Sequence, residues 1–168
     1  MAHGTTPFTH RDLEVSIGED GAFNTSTGAD VALKELFTLT LDGDISLDFP
    51  EERLTAFDRG SRTGAKSRKG TDQLYTGSFS QTMMDIDDAT FATLVAIINK
   101  TGYVASDWAT ASTDSDLQTF MLRFKWTDPA SNTHFIIFDE ASITGSVSGG
   151  DGFHSVAANF EALTLYTI

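Results

Sequence analysis

The stretch Phe37-Thr38-Leu39-Thr40-Leu41-Asp42-Gly43-Asp44-Ile45-Ser46-Leu47-Asp48-Phe49 decides the fold class. Phe37, Leu39 and Leu41 alternate with threonines, and Ile45, Leu47 and Phe49 alternate with Ser46 and Asp48. A period of two puts the apolar members of each run on one face, as a half-buried strand requires. Asp42-Gly43 between the runs favours the positive-φ geometry of a tight turn, so the stretch predicts a β-hairpin. Pro50 ends the second strand, because it has no amide hydrogen to give to a ladder.

Working outward, the same alternation recurs. Leu13, Val15 and Ile17 predict a strand from Asp12 to Ile17, then a turn at Gly18-Glu19-Asp20-Gly21 and a polar loop over 22–30. Residues 51–58 read as one helical turn. A long strand is expected over 73–84, with Gly77 marking a bulge or a close approach. Phe120, Leu122, Phe124 and Trp126 alternate through 117–127, and Asp128 to Asn132 is a turn. The run Phe135-Ile136-Ile137-Phe138 in 133–143 implies burial on both faces. Gly145 to Gly152 reads as a Gly/Ser loop. The last strand, 154–167, places Val156, Ala158, Phe160 and Ala162 on one side and Asn159, Glu161, Leu163 and Leu165 on the other.

One segment has a helical period. Phe91, Leu94, Val95 and Ile98 fall at i, i+3, i+4 and i+7 in a helix expected over 88–100, with an aspartate as N-cap and Lys100 and Gly102 at the far end. Burying these four side chains contributes on the order of 6–12 kcal/mol before entropy, so the helix must lie on a sheet. The expected fold is α+β: mainly antiparallel strands in a β-sandwich or β-barrel with one flanking α-helix. The chain divides into a flexible tail, 1–11, and a single domain, 12–168, with a long loop over 50–72.

Composition sets the outer bounds. The chain has 168 residues, 40% of them hydrophobic and 13 of them Phe, which is enough for a core. It has no cysteine, which fits a reducing compartment and removes disulfides, thiol nucleophiles and Cys-based zinc sites. No apolar run reaches the roughly 20 residues of a membrane-spanning helix, so no membrane insertion is expected. The start, Met1 to Thr6, lacks the basic and apolar regions of a secretory signal.

Net charge is −13, unevenly spread. Residues 59–70 carry Arg59, Arg62, Lys66, Arg68 and Lys69 and no acid, which leaves six bases against 24 acids elsewhere. An acidic body does not hold phosphate backbones. The basic loop lacks interleaved aromatics for stacking on bases. It reads either as a mobile solvated loop or as an element docking on the acidic face of an identical neighbour.

Motifs for chemistry are few. His3, His10, His134 and His154 do not stand at metal-ligand spacing. Asp85, Asp87 and Asp88 suit helix capping better than a calcium loop, which needs about six oxygens from a longer patterned segment. Asp114 and Asp116 read as a solvated pair. Glu51-Glu52 could cut glycosides only if folding set two carboxyls about 5 Å apart. Nucleophile-elbow, phosphate-loop and dinucleotide patterns are absent, so an enzyme, a cofactor and a metal are not expected.

The order of parts resembles the tail tube (major tail) proteins of tailed bacteriophages. The features that carry the likeness are the hairpin Leu36 to Phe49, the long loop 50–72 and the strand Tyr75-Thr76-Gly77-Ser78-Phe79-Ser80. They continue with the helix Asp88 to Lys100 and the closing Val156-Ala157-Ala158-Asn159-Phe160-Glu161-Ala162-Leu163. Type VI secretion tubes share the architecture, but their N-terminal phrase is missing here. The resemblance implies hexameric rings stacked into a tube, with the sheets joined around a channel. It implies that the 50–72 loop reaches the adjacent ring, which assigns docking to Arg59, Arg62, Lys66, Arg68 and Lys69. It also implies tape-measure and other tail proteins as partners, DNA passing through the lumen without specific binding, synthesis in the host bacterial cytoplasm and a place in the virion tail. The alternatives are another ring-forming tail component, a type VI-like tube subunit, or a β-barrel module for a small apolar ligand.

Overall fold

The computed structural model describes residues 13–39, 45–50, 74–82, 90, 92–110, 117–128, 130–149 and 154–168, with the backbone alone for 53–57 and 65–69. The strands are β1 Leu13–Gly18, β2 Leu36–Leu39, β3 Ser46–Asp48, β4 Arg53–Phe57, β5 Ala65–Lys69 and β6 Tyr75–Thr82, then β7 Phe120–Thr127, β8 Thr133–Ser148, β9 Ser155–Ala162 and β10 Thr164–Thr167. Two short helices, α1 Leu94–Asn99 and α2 Gly102–Asp107, lie between β6 and β7. All pairings are antiparallel, so the architecture is the expected α+β sandwich with a flanking helical segment.

The strand order is β2-β1-β7-β8-β9-β6-β3, with β10 also on β8. This corrects the expected hairpin over 37–49. Its two strands form, but β2 pairs with β1 and β3 pairs with β6, at opposite margins of the order. Alternation identifies a strand and its buried side; the partner is chosen by which neighbouring face completes the core. The Asp42-Gly43 turn lies outside the described residues, as do the 1–11 tail, Asp85, Asp87, Asp88, Phe91, Asp114 and Asp116.

Three further expectations change. Residues 53–57 are extended, not a helical turn, and with β5 they turn part of the 50–72 loop into a hairpin of its own. Gly145 to Ser148 belongs to β8, not to a loop, because β9 pairs with it up to Ser148↔Ser155. The single helix over 88–100 is instead two. Thr93, not an aspartate, is the N-cap of α1, its hydroxyl accepting from the Ala96 amide at 3.1 Å. Lys100 ends α1 in the left-handed region at φ 54°, and Gly102 opens α2.

β8 holds the molecule together. It forms one long ladder with β9 and β10, in unbroken register from Ile136↔Thr167 through Asp139↔Thr164 and Ser142↔Glu161 to Ser148↔Ser155. Its first half also pairs with β7, and β9 also pairs with β6. The long hairpin therefore belongs to two sheets: β2-β1-β7-β8-β10 and β8-β9-β6-β3.

Both its strands change phase at the same level. Ile136 and Phe138 face the main core, and so do Ala141 and Ile143, an odd step further on. Across the ladder, Ala162 and Leu165 both face the core, although strict alternation would separate them. Glu140, at φ 51°, and Leu163, 60% exposed, sit at the two slips. The β7 ladder shifts there too, between Phe120 and Leu122. A residue added to one strand bends it and re-aims the side chains beyond it. Slips facing each other turn the hairpin from one sheet to the other while keeping both apolar sides inward. For this reason Leu165 packs on the core rather than on the outer side expected from alternation.

The core fills that corner. Phe124, Phe138 and Phe160, from β7, β8 and β9, are each at most 1% exposed. Phe138 and Phe160 centroids are 4.9 Å apart, and Phe124 meets Phe138 edge-on at 5.7 Å. Aromatic quadrupoles favour such tilted arrangements. Val15, Ile17, Leu122, Phe79 and Ile143 complete the two inner faces, and Leu94, Val95, Ala96 and Ile97 of α1 are buried against them.

Ile137, on the opposite face from Phe138, joins Ala22, Phe23 and Met121 in a second cluster beneath the 19–35 loop. The expected double-sided burial of this run is thus present at its centre. Arg123, 3% exposed, pins the loop: its guanidinium donates to the Gly28 carbonyl at 2.9 Å, to the Asp30 carboxylate and to Glu14 at 3.3 Å. It also lies 4.5 Å over the Phe23 ring, a cation–π contact.

The loop is tied to α2 by two glutamates. Glu19 accepts the Glu35 and Ala109 amides, each at 3.0 Å. Glu35 accepts the Tyr103 hydroxyl and the Trp108 indole N–H, the latter at 3.0 Å. The Glu35 carboxylate holding the phenol proton pushes the Tyr103 pKa up to about 12, with help from burial, Asp107 and Glu19.

These contacts are open to two tests. Gly77 shows no register break in β6, so close approach, not a bulge, explains it. A Cβ there would lie 2.5 Å from both the Phe160 ring and the Ser46 carbonyl. Gly77→Ala should lower unfolding stability by about 1–3 kcal/mol in urea titration; an unchanged midpoint would refute the close fit. For Tyr103, folding favours the neutral phenol, so the contribution is present below about pH 10 and lost as pH rises towards 12. One of the three tyrosines should give tyrosinate absorbance late, and Tyr103→Phe should remove that late step. Three tyrosines titrating together would contradict the bond.

Candidate functional surfaces

Part of the basic segment lies in the β4–β5 hairpin. Lys66, Arg68 and Lys69 lie on β5, whereas Arg59 and Arg62 fall outside the described residues. The register sets Lys66 opposite Ala56, Arg68 opposite Leu54 and Lys69 opposite Arg53. Arg53 belongs with this cationic set, although the uninterrupted basic run begins only at residue 59. Residues 53–69 hold six bases and one acid, Asp58. Among the described residues, β4 and β5 pair with no strand of the larger sheet.

The second sheet, β8-β9-β6-β3, has a polar outer face that no described residue covers. β9 alternates buried Val156, Ala158, Phe160 and Ala162 with exposed Ala157, Asn159 and Glu161. β6 turns Phe79 and Gln81 inward, so Thr76, Ser78 and Ser80 share the outer side. Ser142, Thr144 and Ser146 of β8, with Ser46 and Asp48 of β3, continue it. A shallow depression of about 300 Å³ lies there, lined by Ser46, Asp48, Thr76, Ser78, Thr144, Asn159 and Glu161 among others. The charged residues on this lining are Asp48 and Glu161, both acids. Short hydroxyl side chains with isolated carboxylates make a smooth, weakly negative wall.

The sheet margins are open. Among the described residues, Ser142–Ser148 of β8 has β9 on one side and no strand on the other. β2, β3 and β10 likewise have a single partner each. Such edges present unpaired N–H and C=O groups to any strand that comes alongside.

A smaller pocket of about 170 Å³ lies where Val95, Ile98 and Asn99 of α1 meet Gly145, Ser146 and Val147 of β8. Leu94 and Val95 are buried, and Ile98, partly buried, packs on the core beside this pocket. At the corner, burial raises the Asp139 pKa, with a lesser contribution from Asp20. His134 stands on β8 and His154 just before β9, while His3 and His10 lie outside the described residues. Among the described residues no three His, Asp or Glu side chains gather as a metal site would require. No helix among them is long and apolar enough to cross a membrane.

The turn Val31-Ala32-Leu33-Lys34 is a surface that the sequence does not announce. Leu33 is 101% exposed at φ 69°, and Val31 beside it is 37% exposed. No periodic signal marks this turn, because it lies between strands.

No family model and no curated protein matches the chain. Solved structures share its fold along almost its whole length. A chain in the cryo-EM structure of the anti-feeding prophage baseplate, six-fold symmetrised, superposes with a TM-score of 0.61 at 9% identity, covering 98% of this chain and 97% of that one. A chain in the sheath–tube complex of an extracellular contractile injection system, PVC, in the extended state gives 0.60 at 10% identity, over 98% and 93%. A chain in the anti-feeding prophage tube-terminating cap gives 0.59 at 8% identity, over 100% and 95%. The chain thus has the fold found in these assemblies.

Proposed function

We propose that this chain is a structural subunit of a phage-tail-like particle, which assembles into hexameric rings that stack into a tube. The observation that carries the reading is the end-to-end fold likeness to chains from contractile injection assemblies, with at least 93% of each chain covered. The open margins support it. A ring needs a head-to-tail interface repeated by rotation, and unpaired strands on both sides of the sheet order provide one.

The bare face of the second sheet is the proposed channel wall. A conduit for DNA must not hold phosphate at many sites, and a hydroxyl surface carrying Asp48 and Glu161 weakly repels it. The cationic β4–β5 hairpin is the proposed contact between rings, where the anionic body of the next copy neutralises it. The role is architectural, and the tail of the particle is its place, alongside tape-measure and other tail proteins. A second reading, a ring that caps or terminates a tube, is favoured by the likeness to the chain from the prophage cap.

Negative-stain microscopy of the purified full chain tests the proposal. Rings of about six-fold symmetry are expected, stacked into tubes if the chain is the tube subunit and isolated if it is a terminator. Replacing Arg59, Arg62, Lys66, Arg68 and Lys69 with Ser should leave rings but shorten or abolish tubes and remove their salt dependence. A strictly monomeric protein at high concentration and physiological salt would overturn the proposal.

A further inference from the structure

Leu33 is costly in two ways within its own copy. Its φ of 69° belongs to the left-handed region, where this turn position is normally taken by glycine or asparagine. Its side chain is also fully in water. Neither feature reflects a loose loop. The turn is closed by the Lys34 amide on the Val31 carbonyl at 3.2 Å. It is fastened on one side by the Val31 amide on Ala22 at 2.9 Å and on the other by the Glu35 amide on Glu19 at 3.0 Å. Lys34 is paired with Glu19 at 3.6 Å. A fixed turn that breaks two local rules with no return inside the molecule points to a contact outside it.

The surroundings of the turn define that contact. Glu35 is anchored to Tyr103 and Trp108, which brings α2 and its Asp107 beside the turn. The Asp20 amide donates to Ala109 at 3.0 Å, which places Asp20 at the same end of α2. Asp20, Glu35 and Asp107 are exposed, and no lysine or arginine of the described residues pairs with them. The patch is an apolar knob, Val31 to Leu33, with an anionic rim.

We propose that this patch is the seat for the β4–β5 hairpin of a second copy. That hairpin is the complementary object: the register sets Lys66 opposite Ala56 and Arg68 opposite Leu54, and residues 53–69 hold six bases and one acid. The hairpin of the same copy leaves Leu33 uncovered, so the occupant is another molecule. Apolar contact at the centre and charge pairs at the rim are the usual division of labour in an interface, the centre carrying most of the energy. The inference rests on the tail-subunit reading and specifies which surface receives the arm.

Cysteine cross-linking tests it in a chain with no cysteine of its own. Leu33→Cys and Ser67→Cys proteins are mixed, assembled and treated with a short bismaleimide. The expected product joins one copy of each; Leu33→Cys joined only to itself overturns the seat. In parallel, Leu33→Gly should keep or raise Tm, since glycine suits the φ, while raising the concentration needed for assembly about tenfold. If its Tm falls instead, the charge pair decides. Asp20→Lys/Asp107→Lys copies should assemble with Lys66→Glu/Arg68→Glu copies and not alone, and assembly alone rejects the seat. Wild-type tubes beside an unaffected Leu33→Gly reject this proposal and leave the tail reading standing. A wild-type chain that never leaves the monomer rejects both.

Discussion

The fold depends on a single geometric constraint, the paired phase slip at Glu140 and Leu163. A two-stranded ribbon as long as β8 with β9 and β10 cannot serve two sheets with one alternating pattern, because the bend would carry one half's apolar side into water. Skipping a residue on both strands at the same level resolves this. Phe138 before the slip and Ile143 after it then share one core, and so do Ala162 and Leu165. Phe124, Phe138 and Phe160 meet at the corner so formed, and removing one such ring typically costs about 3–5 kcal/mol. Both sheets, the covering helices and the outer polar face take their positions from that junction.

The same junction explains why the molecule looks unfinished. Bending the ribbon gives its first half to one sheet and its second half to the other, so among the described residues the second half of β8 has a ladder on one side only. Polar groups on that edge must be met by water or by another strand. The outer surface divides in the same way. Over the first sheet, Arg123 clamps the 19–35 loop across Phe23 and Phe135; over the second, nothing among the described residues covers the hydroxyl face. The described residues thus cover one face and leave the other bare, in a chain of net charge −13 with a cationic hairpin, and the proposed assembly is what would complement these features.

Much of the fold is legible in the sequence. Period-two alternation locates β1, β6, β7 and β9 to within a few residues, because strands buried on one face carry their partition in the sequence. Pairing is not legible. The Phe37–Phe49 stretch has every local mark of a hairpin, yet its strands lie on opposite margins of the sheet order, since local pattern carries no information on non-local partners. Leu165 falls on the wrong side in a strictly alternating reading because a phase slip leaves no compositional trace. The expected helix begins too early because Thr93 supplies the cap in place of an aspartate, while its end at Lys100 falls where the sequence sets it. In the candidate site, the basic run is visible as composition, but Arg53 joins it only through strand register. Leu33 is invisible, because φ and exposure at a turn follow from the elements on either side of it.

On the proposed reading, further copies of the chain complete the open β8 margin and the Leu33 turn. Hydrogen–deuterium exchange, compared between dilute protein and assembled particles, tests it most directly. Amides of Ser142–Ser148 and of the Val31–Lys34 turn should become protected on assembly, while core amides of β7 stay as slow as before. Assembled particles in which both segments exchange as fast as in the free chain would contradict it.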